Sequence, residues 1–167
     1  MNNNKADCPI IMDLEASGFG KGSYPVEIGV ALEDGATHCY LLKPKPEWTH
    51  WDEEGERLHG ITREVLLQHG KELDVVAREL NAMLSGCTVY SDGWGNDISW
   101  LYLMYDAVDM VPSYRLETLP AIISRKQMSL WDRTKQQVFS YKDFKRHRAS
   151  NDARALQLTY QMTRDKP

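Results

Sequence analysis

Apolar and polar positions follow two different periods along this chain of 167 residues. Residues 10–15, Ile-Ile-Met-Asp-Leu-Glu, form an apolar run in which acids occupy alternate positions at its end, the pattern of a mostly buried strand. Gly18, Gly20 and Gly22 then mark a loop. Residues 26–33 (VEIGVALE) read as a second strand, and Asp34-Gly35 as a hairpin turn into a third over 37–42. Three successive strands predict an antiparallel meander. Pro44 and Pro46 end it, and 52–69 is helical in pieces. Over 71–84, Leu73, Val76, Ala77, Leu80 and Leu84 share one helical face, with Gly86 placed as a C-terminal cap. A short strand at 88–91 leads through a glycine-broken loop to a helix over 97–107, with Asn96 as its N-cap. Residues 114–119 predict a short strand, and Ser150 an N-cap for a last helix reaching 162. No element is assigned to 120–146. The expected architecture is one α/β domain over 8–163, a mixed sheet with helices packed on it, between a flexible N-terminus (1–7) and a tail (164–167).

Composition narrows the function classes. Hydrophobic residues make up 42% and charged residues 26%, ordinary values that disfavour disorder. With 20 basic and 24 acidic residues the net charge is −4. A protein that grips long duplexes by neutralising phosphates carries a basic excess. Its absence leaves room for an enzyme with an acidic metal site that holds only a short strand end. The three cysteines, Cys8, Cys39 and Cys87, are far apart and have no zinc-ligand spacing, which suits a reducing compartment. Residues 1–7 lack the pattern of a signal peptide, and no apolar run is long enough to span a bilayer. The cytoplasm is the expected location.

The candidate chemistry lies in acids set where apolar residues are expected. Asp13 and Glu15, two apart on a strand, face the same side. Together and partly desolvated they repel unless a cation neutralises them, and hard oxygen ligands suit Mg²⁺ or Mn²⁺. A solvated edge strand accounts equally well for the pair alone. His147 and Asp152 are five apart, the wrong spacing for one helix face, but a loop histidine and a first-turn acid can converge on one point. Asp97 opens a helix and is preferred as a site acid to its competitor Asp92, because Ile98 and Trp100-Leu101 behind it anchor it on a buried helix.

In this order the residues resemble the DEDDh 3′–5′ exonucleases, a family with a ribonuclease H-like fold that includes proofreading subunits, ribonuclease T and oligoribonuclease. The matching segments are Asp13-Leu14-Glu15, Glu27-Ile28-Gly29, His59-Gly60-Ile61-Thr62, Asn96-Asp97-Ile98 with Trp100-Leu101, and His147 followed by Asp152-Ala153. Together they reach from about residue 8 to 160. The sequence departs from the family at Ala16-Ser17-Gly18, at Phe19, where Leu or Met is usual, and at Asn96, where an aromatic is common. The resemblance implies two divalent cations held by Asp13, Glu15, Asp97 and Asp152. It also implies His147 as the general base on the attacking water, imidazole being the side chain that exchanges protons near neutral pH. The products would be nucleoside 5′-monophosphates from the 3′ end of a short or single-stranded RNA or DNA. Phe19 and His59 fall where relatives contact the terminal nucleotide, Ser17 and Gly18 beside them are further substrate-binding candidates, and relatives are often homodimers.

Trp94, in a loop beside Asp97, is a candidate strand-end contact. Arg146, in a basic cluster with Lys142, Lys145 and Arg148, is a candidate for holding incoming phosphates. Two other readings remain: a nucleic-acid-binding module of the same fold without turnover, and a hydrolase of another nucleotide phosphate ester.

Overall fold

The computed structural model of the chain describes residues 8–142 and 144–164. The segments expected to be a flexible N-terminus (1–7) and most of the expected tail (165–167) lie outside the described residues.

The acid-bearing run forms β1 (Ile10–Ala16), at the centre of a five-stranded sheet. It pairs antiparallel with β2 (Pro25–Ala31), which pairs antiparallel with β3 (Thr37–Leu41), as the meander predicts. On its other side β1 runs parallel to β4 (Thr88–Ser91), and β4 runs parallel to β5 (Arg115–Thr118). The order is β3-β2-β1-β4-β5. Chain order therefore reverses between the parallel strands β1 and β4, and a crevice opens beyond the carboxyl ends of such a pair.

Alternation along β1 divides the interior in two. Ile10, Met12, Leu14 and Ala16 join Ile28 and Val30 in the larger core. Opposite them pack α3 (Leu73–Leu84) and α4 (Trp94–Asp106). The expected stripe of α3 is buried at all five positions, and Gly86 follows the helix with φ +73°. On the reverse face, Ile11 and Ala31 meet Ala153 and Leu156 of α6 (Ala149–Thr163). Buried Gln157 ties α6 across the sheet by donating from Nε2 to the carbonyls of Pro9 and Leu32, 2.8 Å from each. The pieces at 52–69 are two short helices, α1 (Glu53–His59), capped by Asp52, and α2 (Arg63–His69), capped by Thr62.

The structure departs from the sequence expectations at three points. A helix of 18 residues, α5 (Arg125–Lys142), occupies much of the unassigned 120–146 stretch and packs on α6. It escapes pattern reading because its inward side is thin: Gln127, Val138 and Phe139 are its buried residues among those described. The helix α4 begins at Trp94, so Asn96 lies inside its first turn and Gly93 takes the cap position. Arg148, and not Ser150, caps α6, because buried Glu27 already receives the N–H of Ala149 and holds the start of the helix in place. Among the described residues no helix is long and apolar enough to cross a membrane.

Candidate active site

The chemistry collects at the carboxyl end of β1, beside that of β4. A cleft of about 320 Å³ is lined by Asp13, Glu15, Gly18, Phe19, His59, Asp97, His147 and Asp152, together with Gly55, Leu58, Asn96 and Trp100. Of the predicted residues, these first eight are therefore brought together. They arrive from four places: β1 and its following loop, the end of α1, the first turn of α4, and the turn entering α6.

Each side chain is placed by a local cause. Asp13 and Glu15 share the face of β1 that looks toward α6, opposite Gly29 and Glu27 of β2 in the ladder. Glu27 is fully buried and grips the start of α6. Its carboxylate receives Nε and Nη2 of Arg148 at 3.0 and 2.6 Å, and the backbone N–H of Ala149 at 2.7 Å. Gly29 is required for the same approach, since a Cβ there would lie 2.1 Å from the carbonyl carbon of Ala149. The Glu-Ile-Gly segment is thus the seat of α6, and α6 carries Asp152. His147, one residue before the helix cap, is exposed and adopts a left-handed backbone (φ +59°). Its N–H donates to Asp152 Oδ2 at 3.1 Å, which pins the turn to the helix. Asp97 is buried and accepts a short hydrogen bond from the Ser91 hydroxyl at the end of β4.

Electrostatics set this cluster apart from a solvated strand face. Burial, followed by the charges of Asp97, Glu15, Asp152 and Asp92, holds the Asp13 carboxyl well above the usual range. Burial and then Asp152 push Glu15 to about 8. Asp97 is raised to about 7 by burial, which outweighs the Ser91 hydrogen bond, and Asp152 to about 6, again chiefly by burial. Four acids that resist ionisation together are under strain that a cation would relieve. Asp152 Oδ1 adds a second observation: it is buried and has no hydrogen-bond partner, an arrangement that costs about 1–3 kcal/mol if nothing binds it. Ligand atoms of Glu15, His147 and Asp152 all lie within 4.8 Å of one another. The donor set, mostly carboxylate oxygen, fits a hard divalent cation.

The remaining predicted contacts are distributed unevenly. Phe19 is 70% exposed at the cleft mouth, its ring 5.9 Å from that of Trp100. Gly18 has φ +143°, and a Cβ there would strike Asp52 Cβ at 2.5 Å, so the loop can pass only as glycine. Ser17 lies beneath the loop and outside the cleft lining. Its hydroxyl accepts from the Tyr24 N–H and meets His50 Nδ1 at 2.8 Å. His59 is buried in the cleft wall. Nδ1 accepts from the Ile61 N–H, which leaves Nε2 to donate to the Ala16 carbonyl at 3.2 Å. Burial lowers its pKa. Trp94 stands outside the cleft, with its indole N–H given to the Leu116 carbonyl.

Arg146 lines a separate cavity of about 190 Å³ behind His147, with its guanidinium 4.6 Å from the Phe139 ring. Asp13, Asp92, Asp152 and Lys135 line the same cavity. Asp92 points to α5, where it pairs with Lys135 at 3.3 Å. Lys135 and Leu58 were not foreseen, because Lys135 is one of many charges on a polar helix and Leu58 an apolar residue in an irregular stretch.

No family model matches the chain, and no curated protein matches it. Solved structures do match in fold. Escherichia coli exonuclease I in complex with a dT13 oligonucleotide aligns with a TM-score of 0.70 at 10% identity, covering 92% of this chain and 40% of that one. The apo form of exonuclease I gives 0.69 at 10% identity, covering 92% and 41%. A zinc-bound complex of the E. coli enzyme with single-stranded DNA gives 0.65 at 10%, covering 91% and 39%. The chain therefore spans about two fifths of the length of these structures. At such identities the likeness concerns the fold, a ribonuclease H-like mixed sheet of five strands flanked by helices.

Proposed function

We propose that this chain is a metal-dependent 3′–5′ exonuclease of the DEDDh type, releasing nucleoside 5′-monophosphates from single-stranded or short nucleic acid ends. The observation that carries the reading is the meeting of Asp13, Glu15, Asp97, Asp152 and His147 in one cleft, with a buried Asp152 oxygen left unpartnered. A lone pair of acids on a solvated strand face would need neither the histidine nor the raised carboxyls. The structural neighbours that were solved with single-stranded oligonucleotides add support through the shared fold.

Asp13, Glu15, Asp97 and Asp152 would hold the metal, as two divalent cations, Mg²⁺ or Mn²⁺. Bound there, such ions supply Lewis-acid polarisation of the phosphate and favour deprotonation of water. The chain's own residues do the rest. Glu27 and Arg148 hold the turn that presents His147, whose exposed imidazole lines the cleft together with Phe19. His147 takes the proton as water oxygen attacks phosphorus. The P–O3′ bond breaks, the leaving 3′ oxygen gains a proton from solvent, and the terminal nucleotide departs as its 5′-monophosphate. Phe19 and Trp100 bound the mouth where the terminal base enters, and stacking of this kind tolerates any base.

The test is release of mononucleotides from matched single-stranded RNA and DNA oligomers with Mn²⁺, comparing the wild type with Asp13→Asn. Metal-dependent release from the 3′ end, abolished in the variant, is expected. Oligomer binding without any release would indicate a silent binding module. Faster turnover of a mononucleotide ester than of oligomers would indicate a different phosphoesterase.

A further inference from the structure

Three hollows join end to end on one side of the molecule. The catalytic cleft shares Asn96 and Trp100 with a groove of about 880 Å³ between the turn at 20–23, the stretch 47–50 and α4. That groove meets, at Glu47, a third hollow of about 730 Å³ that holds Lys43, Lys45 and Arg63. Volumes of this size suit ligand sites, which run from about 300 to 1,000 Å³.

We infer, on the exonuclease reading above, that this chain of hollows is a track for the nucleotides upstream of the terminal one, so that the substrate is a single strand of several nucleotides. The lining has the two components that such tracks combine, aromatic faces and backbone-holding donors. Phe19 and Trp100 stand where the cleft passes into the groove, and Trp48, stacked 5.3 Å from Tyr24, stands further along. Lys21 is exposed on the groove's edge. The Ser17 hydroxyl accepts from the Tyr24 N–H and lies 2.8 Å from Nδ1 of His50, a residue that lines the groove. In the third hollow Lys43 is engaged by Glu72 at 2.6 Å, and Arg63 is bonded to the Tyr24 hydroxyl. Lys45 is the cation there that we assign to a phosphate.

The other exit from the site is unsuited to a polyanion. The cavity behind His147 is only about 190 Å³ and is lined by Asp13, Asp92 and Asp152; of its two cations, Lys135 is already paired with Asp92 and Arg146 lies against the Phe139 ring. A strand leaving that way would bring its phosphates against three carboxylates. Leaving over Phe19 and Trp100, it meets Glu47 and then, in the hollow that holds Lys45, Glu72 and Asp74, whose charges are already paired with Lys43 and Arg78.

Binding measured in EDTA, where no hydrolysis occurs, separates this inference from the catalytic reading. Fluorescein-labelled thymidine and uridine oligomers of two and twelve residues are titrated with the full chain by anisotropy, between 50 and 200 mM salt. The twelve-residue strand should bind more tightly than the two-residue strand. The Lys21→Ala/Lys45→Ala variant should lose most of that gain. Its log–log salt slope should fall by about 1.4, which is ~0.7 for each single-strand phosphate that no longer has a lysine to neutralise it. Lys145→Ala/Arg146→Ala should weaken both lengths alike. The track is refuted by a wild type without length gain, by a gain that survives in Lys21→Ala/Lys45→Ala, or by one that disappears only in Lys145→Ala/Arg146→Ala. An intact gain without mononucleotide release in Mn²⁺ would instead refute the exonuclease reading and leave the track standing.

Discussion

The floor and the mouth of the cleft are built by opposite means. The floor is Asp13 and Glu15 on the central strand, braced by buried Glu27, which is clasped by Arg148 and the Ala149 N–H. Every group there is held by a ladder, a helix start or a charge-assisted hydrogen bond. The mouth is Phe19 at 70% exposure, Leu58 at 50% and the edge of Trp100, on loops and helix ends. The proposed chemistry needs carboxylates and an imidazole kept in one geometry, and its candidate carboxylates sit on rigid elements. On the same proposal, choice of substrate needs only contact, and its candidates are side chains that can change without disturbing the fold. Changes to the floor should therefore abolish turnover or loosen the fold, whereas changes to the mouth should alter only binding.

The largest effect is expected from Asp13→Asn. Losing a ligand of the proposed metal site should lower kcat by about 10³-fold or more, the equivalent of several kcal/mol of transition-state stabilisation. Circular dichroism should show an unchanged fold. Retention of more than a tenth of the activity would mean that the floor is not the reaction centre.

The brace comes next. Arg148→Ala leaves the buried Glu27 carboxylate without its guanidinium and should cost about 3 kcal/mol in urea unfolding at pH 7, the low end for breaking a buried pair because Arg148 is one-third exposed. Adding Glu27→Gln to that variant removes the stranded charge and should restore part of the loss. No recovery in the double variant would indicate that Arg148 acts by packing alone.

Smaller again is the dependence of stability on pH. Without metal, folding raises the carboxyls of Asp13, Glu15 (to about 8), Asp97 (to about 7) and Asp152 (to about 6), so the native chain binds protons that the unfolded chain releases. Such groups favour the native state below their unfolded values, near 4, and that contribution is lost as pH rises through the folded values. In EDTA the melting temperature should therefore fall from about pH 5 to pH 8, and Mn²⁺ should raise it more at pH 8 than at pH 6. A flat profile with no metal shift would contradict the strained-acid floor.

The smallest effect belongs to the mouth. Phe19→Ala should raise KM roughly fivefold, the equivalent of about 1 kcal/mol from one stacked base, with kcat nearly unchanged and stability intact. A collapse of kcat would move Phe19 from the mouth to the floor.

Strand and helix patterning was readable where an element buries a stripe, as in β1, β2, the five-residue face of α3 and the short strands β4 and β5, whereas β3, of which only Tyr40 is buried, follows from the Asp34-Gly35 turn. The helix α5 was not, because it buries few side chains and rests on α6 rather than on the sheet. The cap positions of α4 and α6 were misjudged for a related reason. Asn96 and Ser150 look like local caps, but the start of α6 is set by Glu27, more than a hundred residues away.

Along the chain alone, alternation on β1 places Asp13 and Glu15 on one side of a strand, and the order of acids and histidine names the candidates of the floor. Neither period nor spacing could bring His147 and Asp97 to that strand, or turn Asp92 toward Lys135 and Trp94 toward Leu116. Those outcomes depend on contacts between elements distant in sequence: Gly29 admitting α6, the Ser91 hydroxyl receiving Asp97 as its partner, and α5 offering its lysine. Local periodicity is a property of neighbours on the chain, whereas convergence is decided by which faces pack together, and only the folded sheet and its helices settle that.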